Sequence, residues 1–397
     1  MKVECKNWES GGIKGGGVCS IGLFKGRPSY GTCILSCKEY KGPKMTAKEI
    51  IKQGHTQEPS LLQKAKNLGK EITKTAKRAV KGEEIKVPQA VADDRWATCS
   101  GCKEFRAGTC NKCGCGLRNK IWWASAECPL GYWSNLAKDT EGKVAIIIPA
   151  RNEPYLCKTV KDLYRTALGE FEVWVVLDAW DKHLDQIQEI KELKKDNIHI
   201  IENEKPMGLR YGMNLPASLT DAKYLFKIDA HMSFSVGFDL ALKAKCKPKT
   251  VCVPRLRSLD ADTWTPGNRF LDHARFDKDF KMHYWTERDD EEMLCNIGCN
   301  WFTTKEWWWE IGGQDESMGL WGQSGIEVSL KTWLNGGRQI LVKEATSNHL
   351  FRKKFPYRLN GNHVAETKNK TKELWENHPG LPELLERFKP IPDWHDE

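Results

Sequence analysis

Short apolar runs begin at residue 143 and alternate with segments of helical spacing as far as residue 228. The runs at 144–149, 171–177, 198–201 and 224–228 are rich in β-branched and other apolar residues. Continuous apolar runs of this length are typical of strands buried on both faces of a sheet. Because strand and helix alternate four times, the pattern predicts an α/β fold with a doubly wound sheet.

Polar residues follow these strands at their carboxyl ends, where ligands bind in open α/β sheets. Asn152, Asp178, Asn203 and Asp229 are therefore expected to line one crevice. Asp229 and His231 are two residues apart, so an extended chain places them on the same face. A carboxylate beside an imidazole suits a divalent metal. The alternative is a charged turn that simply ends a core strand.

The order of elements is less regular after His231. Glycine, aromatic and charged residues interrupt the apolar runs there. The pattern predicts strands at 251–254 and 339–342, a strand-like segment at 295–302, and helices that begin at 305 and at 325. Residues 257–292 are predicted to form a polar loop or insertion. We predict one domain at 143–357 and a polar C-terminal tail at 358–397.

Cysteines are concentrated before residue 135. The segment 1–43 is glycine-rich and has few large apolar residues, so it needs a bound metal or another cross-link to fold. Zinc is the favoured ion, with an iron–sulfur cluster and free thiols as alternatives. The predicted zinc ligands of this module are Cys5, Cys19, Cys33 and Cys37.

A second cysteine module is predicted at 93–135, where paired Cys-x2-Cys elements indicate a thiolate metal site of the zinc-ribbon kind. Six cysteines exceed the needs of one tetrahedral zinc, so either some are spare or the site holds two metals or an iron–sulfur cluster. The predicted ligands are Cys99, Cys102, Cys110, Cys113, Cys115 and Cys128.

Between these modules, residues 44–92 contain eleven Lys or Arg against five Asp or Glu. Apolar residues recur at helical spacing from Leu61 to Val80, which predicts a basic amphipathic helix. A solvated linker helix is one interpretation. The other interpretation is a basic segment that lies along the phosphate backbone of a nucleic acid.

Composition narrows the class of protein only slightly. The 397 residues carry a net charge of +9, which permits contact with a polyanion without requiring it. The N-terminus lacks the apolar core of a secretory signal, and no apolar run has the length of a membrane span. We therefore expect a cytoplasmic protein without membrane contact, whose fifteen cysteines serve mainly as metal ligands.

Five motifs occur in order from 144 to 357: Ile-Pro-Ala-Arg-Asn-Glu at 148–153, Asp-Ala-His at 229–231, Ile-Gly-Gly-x-Asp-Glu at 311–316, Trp321-Gly322 with Glu327, and His-Leu-Phe-Arg-Lys at 349–353 followed by Pro356-Tyr357. Together they resemble a GT-A glycosyltransferase of the family-2 type, and the polypeptide N-acetylgalactosaminyltransferase branch in particular. The resemblance implies a Rossmann-like GT-A domain preceded by the small metal-binding modules.

The resemblance also implies a role for each matching residue. Asp229, His231 and His349 would bind Mn²⁺ or Mg²⁺, which would stabilise the leaving diphosphate of a UDP-sugar donor. Asp178 would hold the uracil or ribose, Arg210 would lie near the diphosphate, and Trp321 would stack on sugar or acceptor. The implied donor-binding residues are Pro149, Arg151, Asn152, Glu153, Asp178, Arg210, Trp321 and Arg352.

The chain departs from the family pattern after Trp321-Gly322. The family has an acid and an Asn or Asp before the position of Glu327, whereas this chain has Ser324 and Gly325. Glu327 and Asp315 remain as the candidate catalytic carboxylates. Retention and inversion of the anomeric configuration both stay open.

The family's lectin domain and membrane anchor have no counterpart in the sequence, which favours a phage or bacterial enzyme acting in the (host) cytoplasm. With the cysteine modules and the basic segment, this predicts a DNA acceptor bearing a hydroxymethylated base such as 5-hydroxymethylcytosine, flipped out of the duplex. The alternatives are a protein Ser or Thr, a cell-surface glycan, or a nucleic-acid-binding protein with an inactive transferase domain.

Overall fold

The structure is a computed structural model that describes the side chains and backbone of residues 60–136, 141–352, 354–357, 361–392 and 394, apart from the side chain of Leu61, and the backbone alone of 8–10, 17–19 and 25–26. The chain divides into two compact units. One lies within Met1–Lys70 and Cys99–Leu117, and the other within Glu71–Thr98 and Arg118–Glu397.

The elements before residue 136 are short apart from two helices. In chain order they are β1 (Trp8–Ser10), β2 (Gly17–Cys19), β3 (Lys25–Gly26), α1 (Leu61–Val80), α2 (Gln89–Ser100), β4 (Phe105–Arg106), β5 (Thr109–Cys110) and α3 (Leu117–Lys120). The strands β1, β2 and β3 form an antiparallel sheet, and β4 pairs with β5 as a hairpin. The helix predicted from Leu61 to Val80 is confirmed as α1.

The second unit contains the predicted α/β sheet. Its first elements are β6 (Val144–Ala150), α4 (Leu156–Thr166), β7 (Phe171–Asp178), α5 (Leu184–Glu192), β8 (Ile198–Asn203), α6 (Gly208–Leu219), β9 (Tyr224–Ile228), β10 (Met232–Phe234), α7 (Phe238–Lys245) and β11 (Thr250–Leu259). The remaining elements are β12 (Pro266–Phe270), β13 (Ala274–Phe276), β14 (Met282–Tyr284), β15 (Asn300–Thr304), α8 (Lys305–Glu310), α9 (Ser324–Leu334), β16 (Arg338–His349), α10 (Gly361–Trp375) and α11 (Leu381–Phe388).

Nine strands form the main sheet, in the order β10-β16-β11-β15-β9-β6-β7-β8 with β12 added beside β11. The strands β9, β6, β7 and β8 run parallel, as the alternating pattern predicted. The strand β15 enters antiparallel between β9 and β11 and reverses the direction of the sheet. Such a reversal leaves a crevice at the carboxyl ends of the parallel strands.

Apolar side chains explain why this sheet is buried on both faces. Ile146, Ile148 and Phe226 belong to one core cluster and Ile147 and Leu225 to another, all of them fully buried. Successive residues of a strand point to opposite faces, so a continuous apolar run supplies both clusters. The exception in β9 is Lys227, which is buried between Phe226 and Ile228.

Three regions differ from the sequence prediction. The span 257–292 contains β12, β13 and β14 rather than one polar loop, and β16 extends through twelve residues to His349. The predicted polar tail contains α10 and α11. In α11, residues at helical spacing pack into a buried cluster with Trp375, so the tail contributes to the core of this unit: Leu381, Leu384, Leu385 and Phe388.

The predicted module at 93–135 is divided between the two units. Its first five cysteines lie in the first unit, whereas Cys128 belongs to the second. In the second unit, Arg95 is buried and donates to the carbonyls of Ile121, Trp123 and Ser134. Within the described residues, no helix has the length and apolar character needed to cross a membrane.

Candidate functional site

A crevice of about 550 Å³ opens where the predicted strand ends meet. Its walls come from the ends of β6, β9 and β16, from the loop that leads into α9, and from the segment after His349. Among the predicted site residues, it is lined by Pro149, Arg151, Glu153, Asp229, His231, Trp321, His349 and Arg352. Of the four strand-end residues expected to line one crevice, Asp229 lines this one, and Asn152, Asp178 and Asn203 do not.

The three predicted metal ligands lie together in this crevice. Asp229 follows β9, His231 precedes β10, and His349 is the last residue of β16. Antiparallel pairing of β10 with β16 places Met232 opposite His349, which brings the two imidazoles together. Their rings are 4.7 Å apart. One ligand atom from each of the three residues lies within 4.8 Å of the other two.

The distances within this cluster match a shared divalent ion. Asp229 Oδ2 is 3.2 Å from Nε2 of His349 and 4.0 Å from Nε2 of His231. Neighbouring ligands on an octahedral ion with bonds near 2.1 Å are about 3 Å apart. A carboxylate with two imidazoles is a donor set for a divalent transition metal, in which the carboxylate suits Mn²⁺. The residues therefore fit the implied metal.

Charges around Asp229 keep its carboxylate ionised. Burial acts to raise the pKa of Asp229, but the Lys227 ammonium and the imidazoles of His349 and His231 outweigh it and hold that pKa well below its usual range. Lys227 Nζ lies 2.5 Å from Asp229 Oδ1. One carboxylate oxygen is thus held by the lysine, and the other faces the histidines.

Burial lowers the pKa of His349, and the nearby charge of His231 acts in the same direction. The imidazole is therefore favoured in its neutral form, which is the form that binds metals. Asp229 opposes this shift because it would stabilise the protonated ring. The Nδ1 atom of His349 is buried without a hydrogen-bond partner, so Nε2 is the nitrogen that faces Asp229.

Glu153 and Arg352 form a second charged pair at the crevice wall. The Nη2 atom of Arg352 donates to Glu153 Oε2. The same carboxylate oxygen lies 3.0 Å from Nδ1 of His231. This pair connects the loop after β6 to the segment after β16. Arg352 was predicted as a donor-binding residue. Its place on the crevice wall is compatible with that prediction.

A smaller cavity of about 290 Å³ continues from the crevice and shares Pro149, Arg151, Trp321 and Tyr357 with it. Asp178 lines this smaller cavity. The Asp178 carboxylate accepts the backbone N–H groups of Met207 and Gly208, at 2.6 and 3.1 Å. It therefore stabilises the first residues of α6 as well as lining the cavity.

Asn152 is placed differently from its predicted role. Its side chain turns to the loop after β7, where Oδ1 accepts the backbone N–H groups of Asp181 and Lys182 and Nδ2 donates to the Asp181 carboxylate. Asn152 is buried and has a positive φ of 51°. It braces two loops at the crevice edge, and all its polar side-chain atoms are engaged in that contact.

The predicted catalytic carboxylates and Arg210 are not among the described residues that line the crevice. Glu327 is fully buried, and its Oε2 accepts from Arg210 Nε at 2.8 Å. Its Oε1 accepts the backbone N–H of Asp315. Arg210 also donates to the carbonyls of Gly319 and Gly322, so the pair supports the glycine-rich loop, residues 311–322. The Asp315 carboxylate caps the short 3₁₀ helix Glu316–Met318 by accepting from Ser317 N–H.

Several residues of the site were missed by the sequence reasoning. Lys227 could have been found, because a lysine inside an apolar strand run needs a partner. Tyr357 lines both cavities, and burial together with the Asp229 charge raises its pKa to about 12. His363, Val364 and Lys368 from α10 also contribute to the walls, because α10 packs against the glycine-rich loop.

The cysteine predictions are only partly within the described residues. Cys5, Cys33 and Cys37 lie outside them, and Cys19 is described by its backbone alone. Hydrogen bonding to the Cys113 thiol and burial both raise the pKa of Cys110, so these two thiols are neighbours. Among the described residues, Asp229, His231 and His349 are the one group of three or more close enough to share an ion. Zinc binding by the cysteines stays a prediction.

Known proteins similar to this chain share this region. The Glycosyl transferase family 2 model matches residues 145–312. Polypeptide N-acetylgalactosaminyltransferase 10 of Rattus norvegicus is 25% identical over 267 residues, covering 61% of this chain and 43% of that protein. Polypeptide N-acetylgalactosaminyltransferase 6 of Homo sapiens is 28% identical over 238 residues, covering 54% of this chain and 38% of that protein. The chain thus spans less than half the length of these curated relatives.

A solved structure shows the same fold. The crystal structure of GalNAc-T7 with UDP, GalNAc and Mn²⁺ matches 68% of this chain and 58% of its own, with a TM-score of 0.53 and 16% sequence identity. The family match begins one residue into β6 and ends just after α8, so it includes Asp229 and His231. The chain contains a glycosyl transferase family 2 domain with the GT-A fold.

Proposed function

We propose that this protein transfers a sugar from a UDP-sugar to an acceptor hydroxyl and uses a divalent metal ion to do so. The observation that carries this proposal is the cluster of Asp229, His231 and His349 in a crevice at the strand ends. The similarity to polypeptide N-acetylgalactosaminyltransferases supports the reaction class. The GalNAc-T7 structure was solved with UDP and Mn²⁺, which supports the choice of donor and ion.

Mn²⁺ or Mg²⁺ would be held by the Asp229 carboxylate and two imidazoles. A bound divalent ion supplies Lewis-acid stabilisation of the negative charge that develops on a leaving diphosphate. Asp229 is ionised and can bind the metal, because Lys227 and the histidines lower its pKa. Burial lowers the pKa of His349, which favours the neutral imidazole that a metal binds.

The smaller cavity is our proposed nucleoside site. It continues from the crevice that contains the metal cluster, and its 290 Å³ is near the lower limit of ordinary ligand pockets. Pro149 and Trp321 give it apolar and aromatic walls, while Arg151 and Asp178 supply polar groups. Such a division of polar and apolar walls suits a pyrimidine nucleoside whose diphosphate points toward Asp229.

Basic residues dominate the larger cavity and favour an anionic donor. Among its described lining residues, two carry carboxylates, Asp229 and Glu153, and both are engaged in ion pairs. The same lining set contains five basic side chains: Arg151, Lys227, Lys281, Arg352 and Lys368. A diphosphate is the natural ligand for such a lining.

The engaged carboxylates also favour retention of the anomeric configuration. An inverting enzyme needs a base placed to take the acceptor proton. Within the described part of the crevice wall, Asp229 is committed to the metal cluster and Glu153 to Arg352. We therefore propose that the departing diphosphate oxygen takes the acceptor proton as the new glycosidic bond forms and the bond to the diphosphate breaks.

A polypeptide Ser or Thr hydroxyl is the acceptor that the relatives support, because their names describe polypeptide transferases. A hydroxymethylated base in DNA is the second candidate. The net charge of +9 and the basic lining of the crevice favour that candidate.

The test is a donor screen that follows UDP release with Mn²⁺, with Mg²⁺ and with EDTA. Each donor is combined with a Ser/Thr-rich peptide, with DNA containing 5-hydroxymethylcytosine or 5-hydroxymethyluracil, or with unmodified DNA as the control. A mass increase by one sugar identifies the acceptor. Absence of UDP release from every donor, with or without acceptor, by a folded protein that contains Mn²⁺ would overturn the proposal.

A further inference from the structure

We propose that Lys227 makes the metal site a poor site for a lone divalent cation without weakening its binding of a metal–diphosphate pair. This inference rests on the proposed function and adds a positioning and selectivity role for a residue beside the metal ligands. Lys227 lies in β9, two residues before Asp229, and its side chain lines the crevice.

The contacts of Lys227 use all three hydrogens of its ammonium group. Nζ lies 2.5 Å from Asp229 Oδ1, 2.7 Å from the Gly298 carbonyl and 3.3 Å from the Cys299 carbonyl. The lysine side chain is only 5% exposed. A buried ammonium persists when it is paired and hydrogen-bonded in this way. Lys227 is therefore fixed beside the metal ligand.

These contacts give the ligand set an unusual charge balance. Asp229 supplies the negative charge of the cluster, and Lys227 cancels it at hydrogen-bond distance. The other carboxylate nearby, Glu153, is likewise cancelled by Arg352. The two histidines add no negative charge. A dication that enters alone finds ligand atoms in place, but each nearby carboxylate is already offset by a basic side chain.

A diphosphate experiences the opposite effect. Its negative charges are attracted by Lys227 and Arg352, and it supplies the charge that a dication needs. The same ammonium therefore opposes binding of the metal alone and favours binding of the nucleotide alone. When both ligands are present, these two effects offset each other.

The test compares wild type with Lys227→Met, which keeps the length of the side chain and removes its charge. Isothermal titration measures the Kd for Mn²⁺ without nucleotide and the Kd for UDP in EDTA. We expect the Mn²⁺ Kd to fall, and the UDP Kd to rise, each by at least about tenfold. The total free energy for binding Mn²⁺ and UDP together changes less than the binding free energy of either ligand alone.

A charge effect changes the Kd values for Mn²⁺ and UDP in opposite directions, whereas damage to the site raises both. If Lys227 only supported the local structure, its loss would weaken both ligands, and that result would overturn the inference. Unchanged Kd values for both ligands would overturn it as well. Lys143→Met is the matched control, because Lys143 forms two ion pairs at the start of β6, the opposite end of the sheet. Both Kd values should remain those of wild type in this control.

Lys227→Gln provides a second variant in case the methionine leaves the Gly298 carbonyl unpaired and the protein unfolds. The glutamine amide retains a donor for that carbonyl and also lacks the charge, so the same two changes in Kd are expected. If wild type binds neither Mn²⁺ nor UDP when both are present, the proposed function itself fails. If wild type binds both together and the charge-free variants show no opposite shifts, only the role of Lys227 fails.

Discussion

Two ion pairs, Lys227–Asp229 and Arg210–Glu327, use similar residue types in different ways. In one, Lys227 occupies one oxygen of Asp229 and leaves the other facing His231 and His349. In the other, Glu327 gives one oxygen to Arg210 and the other to the Asp315 backbone N–H. The first pair retains an atom that can bind a ligand. The second is saturated by the protein.

This difference distinguishes the proposed metal ligand Asp229 from the buried carboxylate of Glu327, which residue type alone does not. Both acids belong to motifs shared with the same family, and both lie close to a buried cation. Asp229 is at a strand end that opens to the crevice, whereas Glu327 is in the first turn of α9 and has no exposed surface. Substitutions at the two positions should therefore fail in different ways.

The largest effect is expected for Asp229→Asn. Loss of the anionic ligand should remove several kcal/mol of transition-state stabilisation, which corresponds to a fall in sugar transfer of about 10³-fold or more. The fold should remain, because the Gly298 and Cys299 carbonyls still accept from the Lys227 ammonium. UDP release and Mn²⁺ titration measure the effect, with circular dichroism as the check on folding. Asp221→Asn, which changes an exposed carboxylate at the opposite end of the sheet, is the control. Full turnover by Asp229→Asn would refute the assigned site.

Glu327→Gln should act on stability instead. The substitution leaves the Arg210 guanidinium buried without its counter-charge, and breaking a buried pair in this way costs about 3–5 kcal/mol. Both side chains are buried, at 1% and 0% exposure. Urea unfolding measures the loss. The Mn²⁺ Kd of the folded variant should match that of wild type, and a variant with normal stability but no transfer would restore Glu327 as a catalytic residue.

The sequence was sufficient for the parts of the molecule that depend on local pattern. Apolar runs predicted the four parallel strands because burial on both faces requires them, and the strand-end rule then predicted where Asp229 and His231 would lie. His349 was predicted only through the family resemblance, since its position beside Met232 results from pairing between strands far apart in the chain.

Contacts distant in sequence explain what was missed. Arg210 and Glu327 are 117 residues apart, and nothing local in the sequence indicates that they neutralise each other. The wall that α10 forms was missed for a similar reason. Its sequence is largely polar, and the helix is held by contacts such as the Thr367 hydroxyl donating to the Met318 carbonyl.

The buried histidine His273 makes the free energy of unfolding depend on pH. It is buried, and among the described residues it belongs to no group able to share an ion. Burial is the main reason that its pKa is lowered; Arg288 and Lys343 add to this, while Asp272 and Asp290 oppose it. The unfolded chain therefore takes up a proton below about pH 6.5 that the folded chain resists, and stability present above that pH is lost as the pH falls.

The loss from His273 is at most about 1.4 kcal/mol per pH unit. Urea unfolding in EDTA at pH 7.5 and pH 5.5 measures it, and His273→Met should lose less stability over that interval than wild type. Equal losses in the two proteins would show that His273 is not the titrating group. EDTA keeps metal binding at the Asp229 cluster from contributing.

The smallest effect is expected for Asp315→Ala. Asp315 Oδ1 accepts from Ser317 N–H at 2.9 Å at the start of the 3₁₀ helix, so its loss should cost about 1 kcal/mol, as for other helix caps. Transfer should remain within about twofold of wild type, because the carboxylate does not line the crevice and chemistry there does not depend on a cap. Steady-state UDP release and urea unfolding measure the two quantities. A loss of transfer above about 10²-fold at nearly normal stability would mean that Asp315 acts as a base. The glycine-rich loop would then have to move far enough in the donor complex to bring that carboxylate to the acceptor.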